Sequence, residues 1–175
     1  MPFVDQYNNP VNVNAPHKFK NGLIALPGRC LDQAVANQKV YRAMGKDLKL
    51  KLGGIGVKVG RTKVEWLYAP NGHAIMMTDF HSWLEDDDGK VYDMITSPIW
   101  QSALCYKMED GRQFDFPFKL NEVLMGRDKK ELAKQNLIYI PTTNMTYMRM
   151  PNLFLLYRKK DHQENEWDIQ QCKFE

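Results

Sequence analysis

The sequence has few of the features that mark a secreted, membrane or nucleic-acid-binding protein. Its 175 residues include three cysteines, an odd number too small for a disulfide framework, so we expect a reducing compartment and a cytoplasmic protein. No segment approaches the roughly 20 apolar residues of a membrane span, and the polar segment Met1–Asn14 does not resemble a signal peptide. The formal net charge of +3 is too small to indicate binding to nucleic acid. We therefore predict neither a membrane nor a nucleic-acid partner.

The segments that could bind phosphate or a metal lack the rest of the required motif. Gly53–Gly60 contains four glycines but no Gly-Lys-Ser/Thr ending, so it predicts a turn leading into a strand rather than a phosphate loop. Asp86–Asp88 lacks the remaining spacing of a calcium loop and is typical of a turn. His73, Asp79 and His81 are alternative metal ligands, although zinc sites usually collect closer pairs or a further His or Cys. We predict no metal and no cofactor.

The composition is that of an ordinary globular domain. Apolar residues make up 43% of the chain and charged residues 26%, so a chain of this length can bury a core without disulfide bonds. We predict a single domain over residues 1–175, in which residues 1–18, rich in Asn and Pro, form an N-terminal arm.

Hydrophobic periodicity predicts an early helix followed by a series of strands. Residues 31–44 fit a helix that Gly45 would end. Its apolar face consists of Leu31, Ala34, Val35 and Tyr41. Strands are predicted over 64–68, 73–86, 90–95, 113–118, 137–140 and 152–157, and a second helix over 121–135 with Asn121 as its N-cap. This order predicts an α+β fold in which the early helix packs on a mostly antiparallel sheet.

Cys30, His81 and Asp93 are the residues that we predict to carry chemistry. Cys30 immediately precedes the first helix, and the N–H groups and partial positive charge of a helix start stabilise a thiolate. The thiolate is the reactive form of cysteine, and it needs an imidazole to accept the proton of the thiol. A carboxylate that orients the imidazole completes such a site.

The hairpin between the two predicted strands tests whether His81 and Asp93 can meet. If Asp87–Gly89 is a three-residue loop with Gly89 in the left-handed conformation, Asp86 pairs with Lys90. His81 and Asp93 then lie on one face of the sheet as diagonal neighbours, roughly 7–8 Å apart between backbones. A loop of two or four residues would turn Asp93 to the other face.

The segments around these three residues resemble the transglutaminase-like core of the papain-like cysteine enzyme superfamily. The matching stretches are Gly28-Arg29-Cys30-Leu31, His81-Ser82-Trp83-Leu84-Glu85 and Gly89-Lys90-Val91-Tyr92-Asp93. The resemblance covers about residues 25–100. It implies a papain-like fold with Cys30 as nucleophile, His81 as base and Asp93 as the acid that orients the base. Leu31 stands where that family often carries an aromatic residue.

The resemblance implies an enzyme that attacks an amide or related acyl group and forms a thioester. Its substrate would be a protein, a peptide or another amide, and the sequence leaves open whether water or an amine resolves the thioester. The backbone N–H of Cys30 is the expected oxyanion donor, with Asn21 and Gln33 as candidates for a second donor. The oligomeric state is also left open.

Two alternatives remain at this point. His73 lies in Gly72–Met77, which also resembles the histidine-bearing strand of papain-like hydrolases, so it competes with His81 as the base. The second alternative is a binding or inhibitor protein on the same fold without catalytic activity, because a lone cysteine before a helix is often a small buried residue.

Overall fold

The computed structural model describes residues 15–59, 63–68, 81–105, 116–141, 145–150, 153–159 and 167–173, and over these ranges the chain is an α+β protein. Its helices are α1 (Cys30–Ala43), α2 (Ser97–Cys105) and α3 (Lys129–Lys134). The strands in the first part of the chain are β1 (His17–Lys18), β2 (Ile24–Ala25), β3 (Lys49–Val59), β4 (Lys63–Tyr68), β5 (His81–Glu85) and β6 (Val91–Ile95). Those in the second part are β7 (Glu122–Arg127), β8 (Leu137–Pro141), β9 (Met145–Met150), β10 (Leu153–Lys159) and β11 (Trp167–Lys173).

The largest sheet is built around β3. Residues 49–53 of this strand pair with β5, residues 53–57 pair with β8, and residues 55–59 pair with β4. β5 pairs in turn with β6, and β6 with β7, which gives a curled six-stranded sheet with antiparallel neighbours throughout. β9, β10 and β11 form a three-stranded antiparallel sheet, and β1 pairs with β2.

Helix α1 packs on this sheet through the face that the sequence predicts. Leu31, Ala34, Val35 and Tyr41 are all buried. Side chains of α1 share a core cluster with alternate residues of the β5–β6 hairpin; its buried members are Leu23, Ala25, Ala34, Tyr41, Leu48, Leu84, Tyr92 and Met94. The helix ends at Ala43, and Gly45 follows with its N–H donating to the Arg42 carbonyl at 3.0 Å. The helix beginning at Cys30 and packed on an antiparallel sheet confirms the general α+β prediction.

The remaining side chains of the hairpin enter a second core cluster. Its buried members are Ile55, Trp83, Val91, Ile95, Ile99, Phe118, Leu124, Leu132, Leu137 and Tyr139. Neighbouring residues of a strand point to opposite faces, so β5 and β6 contribute odd-numbered residues here and even-numbered ones to the α1 cluster. The hairpin is thus buried on both faces. Within the described ranges, no helix combines the length and the apolar character needed to cross a membrane.

Two predicted elements are wrong, and tertiary pairing explains both. Residues 121–135 are not one helix: 122–127 form β7, and α3 begins only after Asp128, whose carboxylate accepts the N–H groups of Lys130 and Glu131. Pairing with β6 makes the first half a strand, and Gly126 at φ +65° places a bulge within it. The glycines of residues 53–59 form no turn, because β3 runs through them with partner strands on both edges.

Other elements were missed or are shifted. Helix α2 was not predicted, although Pro98 in its first turn is compatible with a helix start. Residues 116–118 are not a strand; Phe118 instead packs into the second core cluster, while residues 113–115 lie outside the described ranges. Residues 17–18 of the predicted arm form β1 and pair with β2. Of the predicted strand 73–86, the structure describes residues 81–86 and places β5 at 81–85.

The β5–β6 hairpin has the predicted loop and register. Leu84 pairs with Tyr92 and Glu85 with Val91, so the loop contains three residues between Asp86 and Lys90. Asp86 closes it by accepting the N–H groups of Asp88 and Lys90 on its carboxylate, at 3.0 and 2.9 Å. Gly89 has φ +76°, the left-handed conformation that such a loop needs.

We expect Gly89→Ala to lower the free energy of unfolding by about 1 kcal/mol, because a Cβ disfavours the left-handed conformation. The added Cβ would lie 3.7 Å from the Lys129 side chain, an ordinary contact, so the loss is conformational rather than steric. Gly89→Asn is the matched control and should lose less, since asparagine tolerates this conformation. Urea unfolding of the three proteins measures the difference. Equal stability of the alanine variant and the wild type would show that the loop has no such requirement.

Candidate active site

Cys30 occupies the first position of α1, at the end of the helix that carries a partial positive charge. The N-cap residue, Arg29, makes no capping hydrogen bond through its side chain. Its guanidinium instead binds Asp32, with Nε and Nη2 at 3.0 and 2.7 Å from the same carboxylate oxygen. The first N–H groups of a helix have no acceptor within the helix, and Cys30 lies at this end of α1. Cys30 is a partly exposed thiol rather than half of a disulfide.

His81 and Asp93 form a buried pair on neighbouring strands. Nε2 of His81 lies 2.7 Å from Oδ2 of Asp93, and their side chains are only 3% and 2% exposed. The first residue of β5 and the central residue of β6 therefore meet on one face of the hairpin, as the three-residue loop predicts. The sulfur of Cys30 is hydrogen-bonded to the same imidazole. Because Nε2 contacts Asp93, Nδ1 is the ring nitrogen that remains for the sulfur.

The charges around His81 decide its protonation state. Burial by itself lowers the pKa of His81, since a charged ring is poorly solvated inside a protein. The negative charge and hydrogen bond of Asp93, together with the contacts of Cys30, act in the opposite direction and raise the pKa of His81 to about 10. His81 is thus an imidazolium at neutral pH, placed between a carboxylate and a sulfur atom.

Two further side chains bind the Asp93 carboxylate. The hydroxyl of Tyr139, on β8, donates to Oδ2 at 2.7 Å. Burial and the charge of Asp93 raise the pKa of Tyr139 well above its usual value, which keeps this hydroxyl protonated as a donor. Nε2 of Gln33, on α1, reaches Oδ1 at 3.4 Å. The carboxylate is therefore oriented from three elements besides its own strand: α1, β5 and β8.

Aromatic rings enclose the imidazole. The indole of Trp83 is stacked with it, at 5.8 Å between centroids and 18° between planes. Tyr139 packs edge-on against Trp83 at 5.1 Å and lies 6.0 Å from His81. The indole N–H of Trp83 donates to Glu85 at 3.0 Å, and Glu85 is bound by the Lys129 ammonium at 2.6 Å. The side chain of Trp83 is fully buried.

The structure brings together Cys30, His81 and Asp93, the three residues singled out from the sequence. The competing base His73 and the alternative metal ligand Asp79 lie outside the described residues. Both candidates for the second oxyanion donor make other hydrogen bonds. The Gln33 amide bridges the Leu26 N–H and Asp93, and the Asn21 side-chain oxygen accepts the N–H of Leu23 in its own turn.

Sequence reasoning missed Tyr139 and the role of Gln33 at Asp93. Tyr139 lies two residues after Leu137 on a predicted strand, so the two side chains share a face. The sequence pattern does not indicate which element packs against that face. Gln33 lies three residues after Cys30, so helical periodicity places it near the cysteine without indicating Asp93 as its contact. In both cases the missing information was the pairing of elements distant in sequence.

Comparisons with protein-family models, with curated proteins and with solved structures gave no match. The part of the chain that the structure describes contains no group of three or more His, Cys, Asp or Glu side chains arranged to hold a metal ion. The function is therefore argued from the geometry of the Cys30, His81 and Asp93 side chains.

We expect Tyr139→Phe to lower the free energy of unfolding by about 2 kcal/mol, the usual contribution of a hydrogen bond to a buried charge. The pKa of His81 should rise, because a carboxylate with one donor fewer holds the imidazolium proton more strongly. Tyr92→Phe is the matched control, since the Tyr92 hydroxyl makes only a 3.4 Å contact with Asp86. Urea unfolding and NMR titration of the His81 ring measure both effects. Equal losses in the two variants would contradict the assigned role of Tyr139.

The raised pKa of His81 predicts a stability that depends on pH in Cys30→Ala, a variant that removes the thiol but keeps Asp93. In this variant the stabilisation by His81 is complete below its unfolded pKa of about 6.5 and is lost as the pH rises through the folded pKa. Between the unfolded and the folded pKa, we expect the free energy of unfolding to fall with a slope approaching about 1.4 kcal/mol per pH unit. Urea unfolding across this range measures it. The slope should vanish when His81→Gln is added to Cys30→Ala. A flat profile in Cys30→Ala alone would contradict the raised pKa of His81.

Proposed function

We propose that this chain is a papain-like cysteine enzyme with a transglutaminase-like core that acts on an amide or related acyl group. The observation that supports this most is the chain of contacts from the Cys30 sulfur through His81 to Asp93. Burying two opposite charges is generally no more stable than an apolar pair of the same volume. Here the buried imidazolium and carboxylate contact a partly exposed thiol. A catalytic role therefore explains the presence of this pair better than a contribution to stability.

The first step of the proposed reaction is attack by the Cys30 thiolate. His81 holds the proton of the thiol, and the resulting charge pair is stabilised by Asp93 on one side and by the start of α1 on the other. A bond forms between sulfur and the carbonyl carbon, and the electron pair of the carbonyl moves to oxygen. The backbone N–H of Cys30 is the expected donor to that oxyanion.

The intermediate then collapses to a thioester. The His81 imidazolium donates its Nδ1 proton to the leaving nitrogen, the carbon–nitrogen bond breaks, and the amine departs. His81 is now neutral and Asp93 keeps its ring oriented. Water or an amine can then attack the thioester, with His81 accepting a proton from the nucleophile. The carbon–sulfur bond breaks, and Cys30 leaves as the thiolate. Water gives a peptidase, isopeptidase, amidase or deamidase, and an amine gives acyl transfer.

The helix carrying Cys30 and the antiparallel sheet carrying His81 and Asp93 are compatible with a papain-like core. A protein, a peptide or another amide is the proposed substrate, and the cytoplasm is the proposed location. A binding or inhibitor protein on the same fold would not need an activated thiol, so thiol reactivity separates the two functions.

We expect Cys30 to react with iodoacetamide about tenfold or more faster than Cys105 and Cys172 near pH 6, because Cys30 is paired with an imidazolium. Peptide mapping by mass spectrometry after timed alkylation measures the three rates in one sample. His81→Gln should slow Cys30 while leaving the other two cysteines unchanged. Equal rates at all three cysteines would favour the binding-protein function.

We expect Cys30→Ala to abolish turnover of a panel of glutamine-containing and isopeptide-linked peptides without loss of the fold. His81→Ala should lower turnover by about three orders of magnitude or more, whereas His73→Ala, the matched control, should have little effect. Asp93→Asn should cost less than loss of Cys30, because an amide oxygen still orients the ring but adds no charge. Amine release and trapping of the acyl-enzyme by hydroxylamine are the measurements. A folded Cys30→Ala protein with full turnover would overturn the proposal.

A further inference from the structure

An ion pair with a buried carboxylate is linked to the imidazole through Trp83. Glu85 is only 4% exposed and one of its carboxylate oxygens contacts both the Lys129 ammonium, at 2.6 Å, and the Trp83 indole N–H, at 3.0 Å. A charge pair in such a place contributes little to stability compared with an apolar pair of similar volume. The loop of the hairpin is closed by Asp86 and Gly89, so Glu85 is not needed for the turn.

The position of Lys129 is not explained by its own helix. Lys129 is the first residue of α3, directly after the N-cap Asp128. A cation is unfavourable at this end of a helix, where the partial charge of the backbone is positive. The ammonium nevertheless reaches back to Glu85, and the Lys129 side chain is 30% exposed. Its contact with Glu85 is the interaction that this placement provides.

Trp83 connects this ion pair to the imidazole. Its indole is anchored at the N–H by Glu85, stacked with His81 and packed edge-on against Tyr139. A negatively charged acceptor on the N–H enriches the indole π-system, and an aromatic face near an imidazolium favours the charged ring over the neutral one. Within the described ranges, the groups facing His81 include Cys30, Asp93, Tyr139 and Trp83. Of these, Trp83 is held through Glu85 by Lys129 of α3.

We propose that Lys129, acting through Glu85 and Trp83, is a positioning residue that holds the His81 imidazolium in line between Cys30 and Asp93. The inference deepens the proposed function and rests on it for its catalytic meaning. The placement of the ring is open to measurement without any substrate. The effect of Lys129 on the His81 ring is therefore tested in the Cys30→Ala variant.

Lys129→Met should lower the pKa of His81 by about half a unit or more, because Glu85 without its ammonium partner no longer holds the indole in place against the imidazole. This is the size expected for a weakened interaction between a cation and an aromatic face. The measurement is NMR titration of the His81 ring nitrogens in Cys30→Ala. Lys134→Met is the matched control: Lys134 lies on the same helix and bridges to the exposed Glu131, so its removal should leave the titration unchanged. Lys129→Arg should restore the wild-type value.

A double-mutant cycle tests whether Lys129 acts through the indole. Trp83→Phe should also lower the pKa of His81, and adding Lys129→Met to it should lower the pKa no further. If Lys129→Met does not fold, Glu85→Gln replaces it, because the amide removes the buried charge and keeps the shape; the same fall is expected. Two results would overturn the proposal and leave Lys129 a purely structural residue. One is that the effects of Lys129→Met and Trp83→Phe on the pKa of His81 are additive. The other is that Lys129→Met changes this pKa no more than Lys134→Met does.

The catalytic part is read separately in the protein with Cys30 intact. Lys129→Met should slow alkylation of Cys30 several-fold near pH 6, while Lys134→Met should not. If Cys30 shows no enhanced reactivity in the wild type, the proposed function fails. The effect of Lys129 on the pKa of His81 is still decided by the titration. If the wild type is reactive and Lys129→Met leaves both the titration and the alkylation unchanged, the positioning role alone fails.

Discussion

The hydrogen bond between His81 and Asp93 is the interaction on which the rest of the site depends. Both side chains are almost completely removed from water, and an unpaired charge at that depth would be very costly. The imidazolium and the carboxylate compensate each other only because their atoms are 2.7 Å apart. Further polar contacts of the site are made to these two groups: Tyr139 and Gln33 bind the carboxylate, and Cys30 contacts the ring.

The pair can form because the sheet and the helix converge on it. The three-residue loop sets the parity of the hairpin, and the direct pairing of β5 and β6 brings the two strands within reach of one hydrogen bond. Beyond β6, the bulge at Gly126 fits an extra residue of β7 against the same strand. β3 then pairs with both β5 and β8, so Tyr139 approaches Asp93 from the far side of β3. The site is therefore a property of the assembled sheet rather than of one motif.

The partly exposed residue of the three is Cys30, the one that would act first, whereas His81 and Asp93 are buried. Cys30 is partly exposed at the helix start, His81 lies behind it, and Asp93 lies behind His81. A substrate would meet the thiol first, while protein groups surround the proton acceptor and its carboxylate. Low dielectric around His81 strengthens its interaction with Asp93, so that Asp93 and Cys30 together raise the pKa of the ring despite the burial that lowers it.

The sequence by itself determined the helix that begins at Cys30 and the hairpin that joins His81 to Asp93. Both depend on local rules: apolar periodicity along 31–44, and one left-handed glycine whose loop length sets which residues share a face. Only the tertiary structure decided that 122–127 is a strand, that β3 passes straight through its glycines, and that Tyr139 and Gln33 bind Asp93. Those outcomes depend on partners distant in the chain. Backbone hydrogen bonds to a neighbouring strand can override helix propensity, and a buried carboxylate takes the donors that packing brings to it.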